Sequence, residues 1–188
     1  MSKKVFIGGS RKVSRLNETL RNLIDNEIIE KKCHAFIGDA NGSDKAIQHY
    51  LSINDHKAVT IYCSGDNCRN NLGHWQMKNV PVSRKTKDRV FYAIKDEAMA
   101  EDCDSAIMLW DGISTGTLNN CLNVLGLNKP VTLFESPKKT FHNLESMDDF
   151  KDKLNGVHPD IWAEWDKKIN LTERLNGEMP DKQFILGI

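Results

Sequence analysis

Between Asp102 and Asn120 the chain reads Asp-Cys-Asp-Ser-Ala-Ile-Met-Leu-Trp-Asp-Gly-Ile-Ser-Thr-Gly-Thr-Leu-Asn-Asn, and this stretch restricts the possible folds more than any other. The apolar run Ala106 to Trp110 has the length of a buried strand and stops at the turn dipeptide Asp111-Gly112. A loop of small residues follows, Ser114, Thr115, Gly116 and Thr117, and then Leu118, Cys121, Leu122 and Leu125 recur at helical spacing. A strand that passes through a glycine-bearing loop into a helix makes a natural anion site. The first-turn N–H groups are unpaired, the helix dipole is positive there, and glycine lets a phosphate approach the backbone.

The arrangement occurs twice more upstream. Lys3 to Ile7 reads as a strand ending in Gly8-Gly9-Ser10-Arg11, and Leu16, Leu20, Leu23, Ile24 and Ile28 then follow the helical interval. His34 to Ile37 is a second strand, closed by Gly38-Asp39-Ala40-Asn41-Gly42-Ser43-Asp44, before a helix marked by Ala46, Ile47, Tyr50 and Leu51. Ala58 to Cys63 and Pro130 to Phe134 read as further strands, and Thr86 to Asp102 as a helix with Val90, Ile94, Ala98 and Met99 facing inward. Strands alternating with helices predict an α/β fold, a Rossmann-like doubly wound, mostly parallel sheet of about five strands with helices on both faces. Ligands in such sheets sit beyond the carboxyl ends of the strands, so the three glycine loops are expected to crowd one edge.

This reading assigns residues 1–135 to the sheet domain and 136–188 to a helical C-terminal extension, opened at Ser146-Met147-Asp148-Asp149 by a capping-box pattern and continued from Asp160 to Leu175. The extension is expected to pack on the core or on a second copy of the chain, which makes a homo-oligomer one expectation. In 188 residues, 26 Lys and Arg balance 26 Asp and Glu, so no global basic field recommends a nucleic acid or an anionic membrane as partner. No apolar run approaches the roughly 18–20 residues of a membrane span. The opening Met1-Ser2-Lys3-Lys4 leads into a short strand instead of a signal peptide, and the expected location is the cytoplasm. Cys33, Cys63, Cys103 and Cys121 lie in apolar runs and read as buried thiols in a reducing compartment.

Each loop offers particular chemistry. Gly8 and Gly9 can present backbone N–H groups, Ser10 a hydroxyl and Arg11 a guanidinium that forks onto phosphate oxygens. Gly38 and Gly42 frame a turn in which Asp39 is placed to accept from ribose hydroxyls, and Ser43 or Asp44 begins the helix. In the third loop Gly112, Ser114, Thr115, Gly116 and Thr117 are the anion-binding candidates, with Asp111 at the strand end. Ser64 to Arg89 shows little periodicity and reads as a long irregular loop; it carries Arg69, Lys78, Arg84, Lys85, Lys87 and Arg89 against Asp66 and Asp88, as expected of a lid that closes over an anion. Cys63, Cys68 and His74 lack a fourth ligand and a suitable spacing for zinc, so neither metal nor cofactor is expected.

Phe6 to Arg11, Gly38 to Asp44, Lys95-Asp96-Glu97-Ala98-Met99 and Trp110 to Thr117, taken in this order, resemble the SLOG superfamily over roughly residues 3–135. The similarity looks closest to its small stand-alone branch, the YspA/YAcAr-like proteins, and extends to the LOG or "lysine decarboxylase-like" phosphoribohydrolases. The resemblance implies a Rossmann-like domain that binds nucleotides or nucleotide-derived ligands at these loops. Some members cleave an N-glycosidic bond, and others are ligand-sensing modules. The departures are specific. In the phosphoribohydrolases a Pro-Gly-Gly-x-Gly-Thr-x-x-Glu motif supplies a catalytic glutamate, and an Arg-Lys pair lies on the preceding helix. Here Asn120 stands where that glutamate would be and Ile94 where the arginine would be, with Lys95 retained. An amide neither acts as a general base nor stabilises an oxocarbenium centre as a carboxylate does. Two readings follow. One is a protein that binds or senses a nucleoside monophosphate, ADP-ribose or an NAD-like ligand. The other is an N-glycoside hydrolase or transferase in which Asp111 or Asp39, with Lys95, replaces the missing group.

Overall fold

The computed structural model describes residues 2–83 and 88–177. Seven strands form one sheet: β1 (Lys4–Gly9), β2 (His34–Gly38), β3 (Val59–Ser64), β4 (Gln76–Val80), β5 (Ser105–Trp110), β6 (Val131–Glu135) and β7 (Thr140–Leu144). Their spatial order is β4-β3-β2-β1-β5-β6-β7, with every neighbouring pair parallel except β6 and β7. The helices are α1 (Glu18–Ile24, continued by a π-helical turn Asp25–Ile29), α2 (Ser43–Ile53), α3 (Asp88–Asp102), α4 (Thr115–Leu125), α5 (Met147–Lys153), α6 (Pro159–Ile169) and α7 (Leu171–Leu175).

The pleat divides the apolar residues between two layers. Val5, Ile7, Ala35, Ile37, Ile61, Ile107 and Leu109 pack beneath α1 and α2 with Leu20, Ile24, Ile28, Ile47 and Leu51. Phe6, Phe36, Tyr62, Ala106, Met108 and Trp110 point to the other face, where α3 and α4 contribute Met99, Ala100, Leu118, Cys121 and Leu122. Helices therefore flank both faces of a mixed, mostly parallel sheet, consistent with a Rossmann-like arrangement. β1 is central because it pairs with β2 on one side and β5 on the other. The winding direction reverses between β1 and β5, and that is where such sheets open a crevice.

Several expectations need correction. The sheet has seven strands instead of about five, and the residues read as an irregular loop from Ser64 contain β4. β4 escapes a pattern search because it is an edge strand with four of its five residues exposed, so neither face demands apolar side chains. β7 is the opposite edge and is mostly exposed too, so the C-terminal extension is not purely helical. The capping box at Ser146 and Asp149 is present, with both reciprocal bonds made. The helical stretch from Asp160 is broken at Asn170, which adopts the left-handed conformation and separates α6 from α7. Phe150, Leu154, Trp165, Ile169, Leu171 and Leu175 of the extension join the same buried layer as α3 and α4. On α3, Met99 is buried, whereas Val90, Ile94 and Ala98 are only partly covered. Cys33, Cys103 and Cys121 are buried free thiols, but Cys63 is paired with Cys68, because the turn after β3 returns the two Cα atoms to 5.2 Å.

Candidate functional site

The carboxyl ends of β2, β1 and β5 are adjacent, and the three glycine loops meet above them. Direct bonds join the first two loops: the Ser43 N–H and hydroxyl both donate to the Ser10 carbonyl, at 3.2 and 2.9 Å. The first loop meets the third through Lys12 and Asp111, 4.0 Å apart, and the Ser10 N–H donates to the Leu109 carbonyl of β5 at 2.8 Å. That bond removes the Ser10 amide from any phosphate cradle, and Gly8 and Gly9 are likewise strand residues paired with Met108 and Leu109. Gly9 is required for a steric reason. Its φ is +149°, and a Cβ there would overlap the Leu109 backbone. What the first loop presents outward is Arg11 and Lys12, both exposed, while Ser10 is buried and its Oγ accepts from the Lys12 amide at 3.1 Å.

The third loop leads into a helix start that no side chain caps. Ser114 occupies the N-cap position of α4 but makes no capping bond; its hydroxyl pairs with the Thr117 hydroxyl at 2.9 Å. No acidic residue lies in the first turn, and open space surrounds the Cβ position of Gly116. Thr115 and Gly116 are thus at an uncapped helix start, and Gly112, with φ +86°, turns the chain into it. Asp111 closes the turn instead: its Oδ1 accepts from the Ile113 and Ser114 amides at 3.1 and 2.7 Å. Oδ2 is buried without a hydrogen bond among the described residues, with the Lys12 ammonium 4.0 Å away. Burial pushes the Asp111 carboxyl up, but the Ser114 and Ile113 amides more than offset it, so the group lies below its ordinary value and is ionised at neutral pH. Asn120, one turn into α4, is also buried with its Oδ1 lacking a partner among the described residues.

Beneath the first and second loops lies a buried charge cluster. Lys95 of α3 is only 3% exposed, although the helical pattern gave its position no apolar residue to announce burial. Its ammonium donates to Asp96 at 2.5 Å. The point where a Cβ of Gly38 would stand is 2.7 Å from the Lys95 Nζ and in contact with Asp44 Oδ2, so glycine is needed there to admit both side chains. Asp44 does not cap α2; it accepts from the Ala40 amide at 3.1 Å, and Gly42 stands at the N-cap. Burial raises the Asp44 carboxyl to about 6, against the opposing charge of Lys95. Burial also works against the Lys95 ammonium, but Asp96 and Asp44 outweigh it and hold it above its ordinary value.

Asp39, at the end of β2, is buried and fully engaged. Arg69 donates to it three times, from its backbone amide (3.0 Å), Nε (3.0 Å) and Nη2 (2.6 Å). Burial acts to raise the Asp39 carboxyl, and the Arg69 hydrogen bonds overcome it and hold the group below its ordinary value. The Arg69 guanidinium also lies 4.1 Å from the Tyr92 ring centroid, and that of Arg11 lies 5.8 Å from the same ring. Asn70 donates to the Asp39 carbonyl at 2.7 Å, and the buried Gln48 side chain joins Gly38 to Asn70 and Leu72. The segment expected to be a lid is therefore tied down from Cys68 to Leu72, and its Lys78 pairs with Asp102. Arg84, Lys85 and Lys87 lie outside the described residues.

No family model, no curated protein and no solved structure matches the chain. The geometry is thus the sole guide to the site. It brings Ser10, Arg11, Gly42, Ser43, Asp111, Gly112 and Ser114 to Thr117 to the carboxyl edge of the sheet, where Ser10, Ser43 and Thr117 are buried, and it buries Asp39, Asp44 and Lys95 as well. Sequence reasoning missed the parts played by Lys12, Asp96 and Tyr92, and it counted Arg69 only as lid charge. Two cavities of about 230 Å³ lie elsewhere. One is at the amino edge of the sheet, near Lys3 and Pro130; the other, between Trp110, Glu135, Lys153 and Ile161, touches the third loop at Gly112. Among the described residues no cluster of metal-ligating side chains occurs, and no helix is long and apolar enough to cross a membrane.

Proposed function

We propose that the chain binds a nucleotide or nucleotide-derived ligand, such as a nucleoside monophosphate, ADP-ribose or an NAD-like molecule, at the carboxyl edge of the sheet. The observation that carries this reading is the uncapped start of α4 at the reversal point between β1 and β5, with exposed Arg11 and Lys12 on the facing loop. A phosphate there would accept from first-turn amides and from the Arg11 guanidinium. The resemblance of residues 3–135 to the SLOG superfamily, which we propose as the kinship of this chain, points the same way.

Asp111 favours a second reading, an N-glycoside hydrolase or transferase. An ionised carboxylate whose buried Oδ2 accepts no hydrogen bond among the described residues, with only the Lys12 ammonium 4.0 Å away, is a suitable stabiliser for positive charge developing on a sugar. Asp39 is less suited, because Arg69 already occupies both its oxygens. Calorimetry with nucleoside monophosphates, NAD and ADP-ribose, coupled to chromatography for released base, tests both readings. Under the first, Arg11→Ala weakens binding about 10- to 100-fold, the loss of one charge-assisted bond; unchanged affinity would put the phosphate elsewhere. Base release in the wild type supports the second reading, and tight binding without release leaves the first.

A further inference from the structure

In sheets with this central strand order, the carboxyl end of the strand beside β1 is where the ribose is held. A carboxylate there accepts from the sugar hydroxyls, or an arginine receives a phosphate carried on the 2′ oxygen. Asp39 occupies that strand end, but it is not available in the first manner. Its Oδ2 accepts two bonds and its Oδ1 one, all from Arg69, and its side chain is 3% exposed. The Arg69 side chain remains 32% exposed. Because the Nε and Nη2 edge of the guanidinium faces Asp39, the Nη1 edge faces away from it. What this strand end presents to a sugar is a guanidinium, not a carboxylate.

The guanidinium is also held in place before any ligand arrives. Asp39 grips its edge, Tyr92 covers one face at 4.1 Å, the Cys63–Cys68 bridge precedes it, and Asn70 anchors the next residue to Asp39 and Asn41. Arg11, over the same ring, adds a second positive charge, so Asp39, Arg69 and Arg11 together carry a surplus of one. A fixed, planar, partly exposed guanidinium with its paired acid beneath it suits a tetrahedral oxyanion better than a neutral diol. Deepening the nucleotide reading, and resting on it, we propose that the ligand carries a second phosphate on its ribose, at the 2′ or 3′ oxygen, received by Arg69 at the end of β2.

Calorimetry on the full chain with the 5′-monophosphates and the 2′,5′- and 3′,5′-bisphosphates of adenosine, guanosine, cytidine and uridine tests this. For at least one nucleoside, a bisphosphate is expected to bind about 10- to 100-fold more tightly than the monophosphate, the range for one charge-assisted contact. In Arg69→Gln that ratio is expected to collapse to about one. If loss of the guanidinium leaves buried Asp39 too costly for folding, the double variant Asp39→Asn/Arg69→Gln, which replaces the ion pair by two amides, provides the same ratio. Bisphosphates that bind no more tightly than monophosphates, or an advantage that survives both variants, would overturn the proposal and leave the nucleotide reading intact. No affinity for any of these nucleotides would overturn the proposal, and the nucleotide reading falls with it if NAD and ADP-ribose also fail to bind.

Discussion

Replacing Asp44 by Asn should alter how stability depends on pH, in a direction the buried cluster dictates. Asp44 is packed against Gly8 and Gly38, faces Lys95 and Asp96 of α3 and Asp39 just after β2, and has its carboxyl raised from 3.8 to about 6. Between those two values the folded state holds a proton that the unfolded chain has released. Stability therefore falls as pH rises from about 4 to about 6 and is level above that. At 1.36 kcal/mol per pH unit, the ionised carboxylate costs the fold about 3 kcal/mol at neutral pH relative to pH 4. Other carboxylates, including Asp39, Asp102 and Asp111, have lowered values and lose stability in the opposite direction as pH falls, so the wild-type profile alone is not diagnostic. The difference between wild type and Asp44→Asn isolates the group. Urea titrations at several pH values from 4 to 7.5 should show the wild type gaining about 3 kcal/mol on the variant towards the acid end. A difference that is independent of pH would refute the assignment of the raised carboxyl to Asp44.

Three further outcomes follow from the geometry. Gly9→Ala forces a Cβ onto the Leu109 backbone at a positive φ, and should lower stability by about 2–3 kcal/mol or more in chemical denaturation. Cys68→Ser opens the short covalent loop before Arg69; loop-closure entropy puts the loss at about 2 kcal/mol in non-reducing buffer, and amide exchange at Arg69 and Asn70 should speed up with it. If the chain hydrolyses an N-glycosidic bond, Asp111→Asn should cut base release by about 10²–10³ with ligand affinity nearly kept, and retention of wild-type turnover would exclude Asp111 from the chemistry.

The meeting of three loops at one edge was legible before any coordinates. It depends only on strand and helix periods and on the handedness of parallel crossovers, which sequence pattern carries directly. β4 and β7 were not legible, since Gln76–Val80 and Thr140–Leu144 are edge strands whose exposed faces impose no alternation. The 63–68 bridge was missed for a related reason: Cys63 lies in an apolar run like three other cysteines and Cys68 in a polar loop, and only the turn after β3 brings the two together.

What the sequence by itself determined is the order of elements, the inward faces of the strands and the glycine loops at their ends. These are local properties, fixed by side-chain period and by backbone freedom. Only the tertiary structure decided which polar groups would spend one another. Ser10 gives its amide to Leu109, Asp39 is taken by Arg69 from a segment thirty residues away, and Lys95 is drawn under Gly38 beside Asp44. Charge pairing in a buried site depends on distance through space and on desolvation, and neither quantity is written in the spacing of residues along the chain.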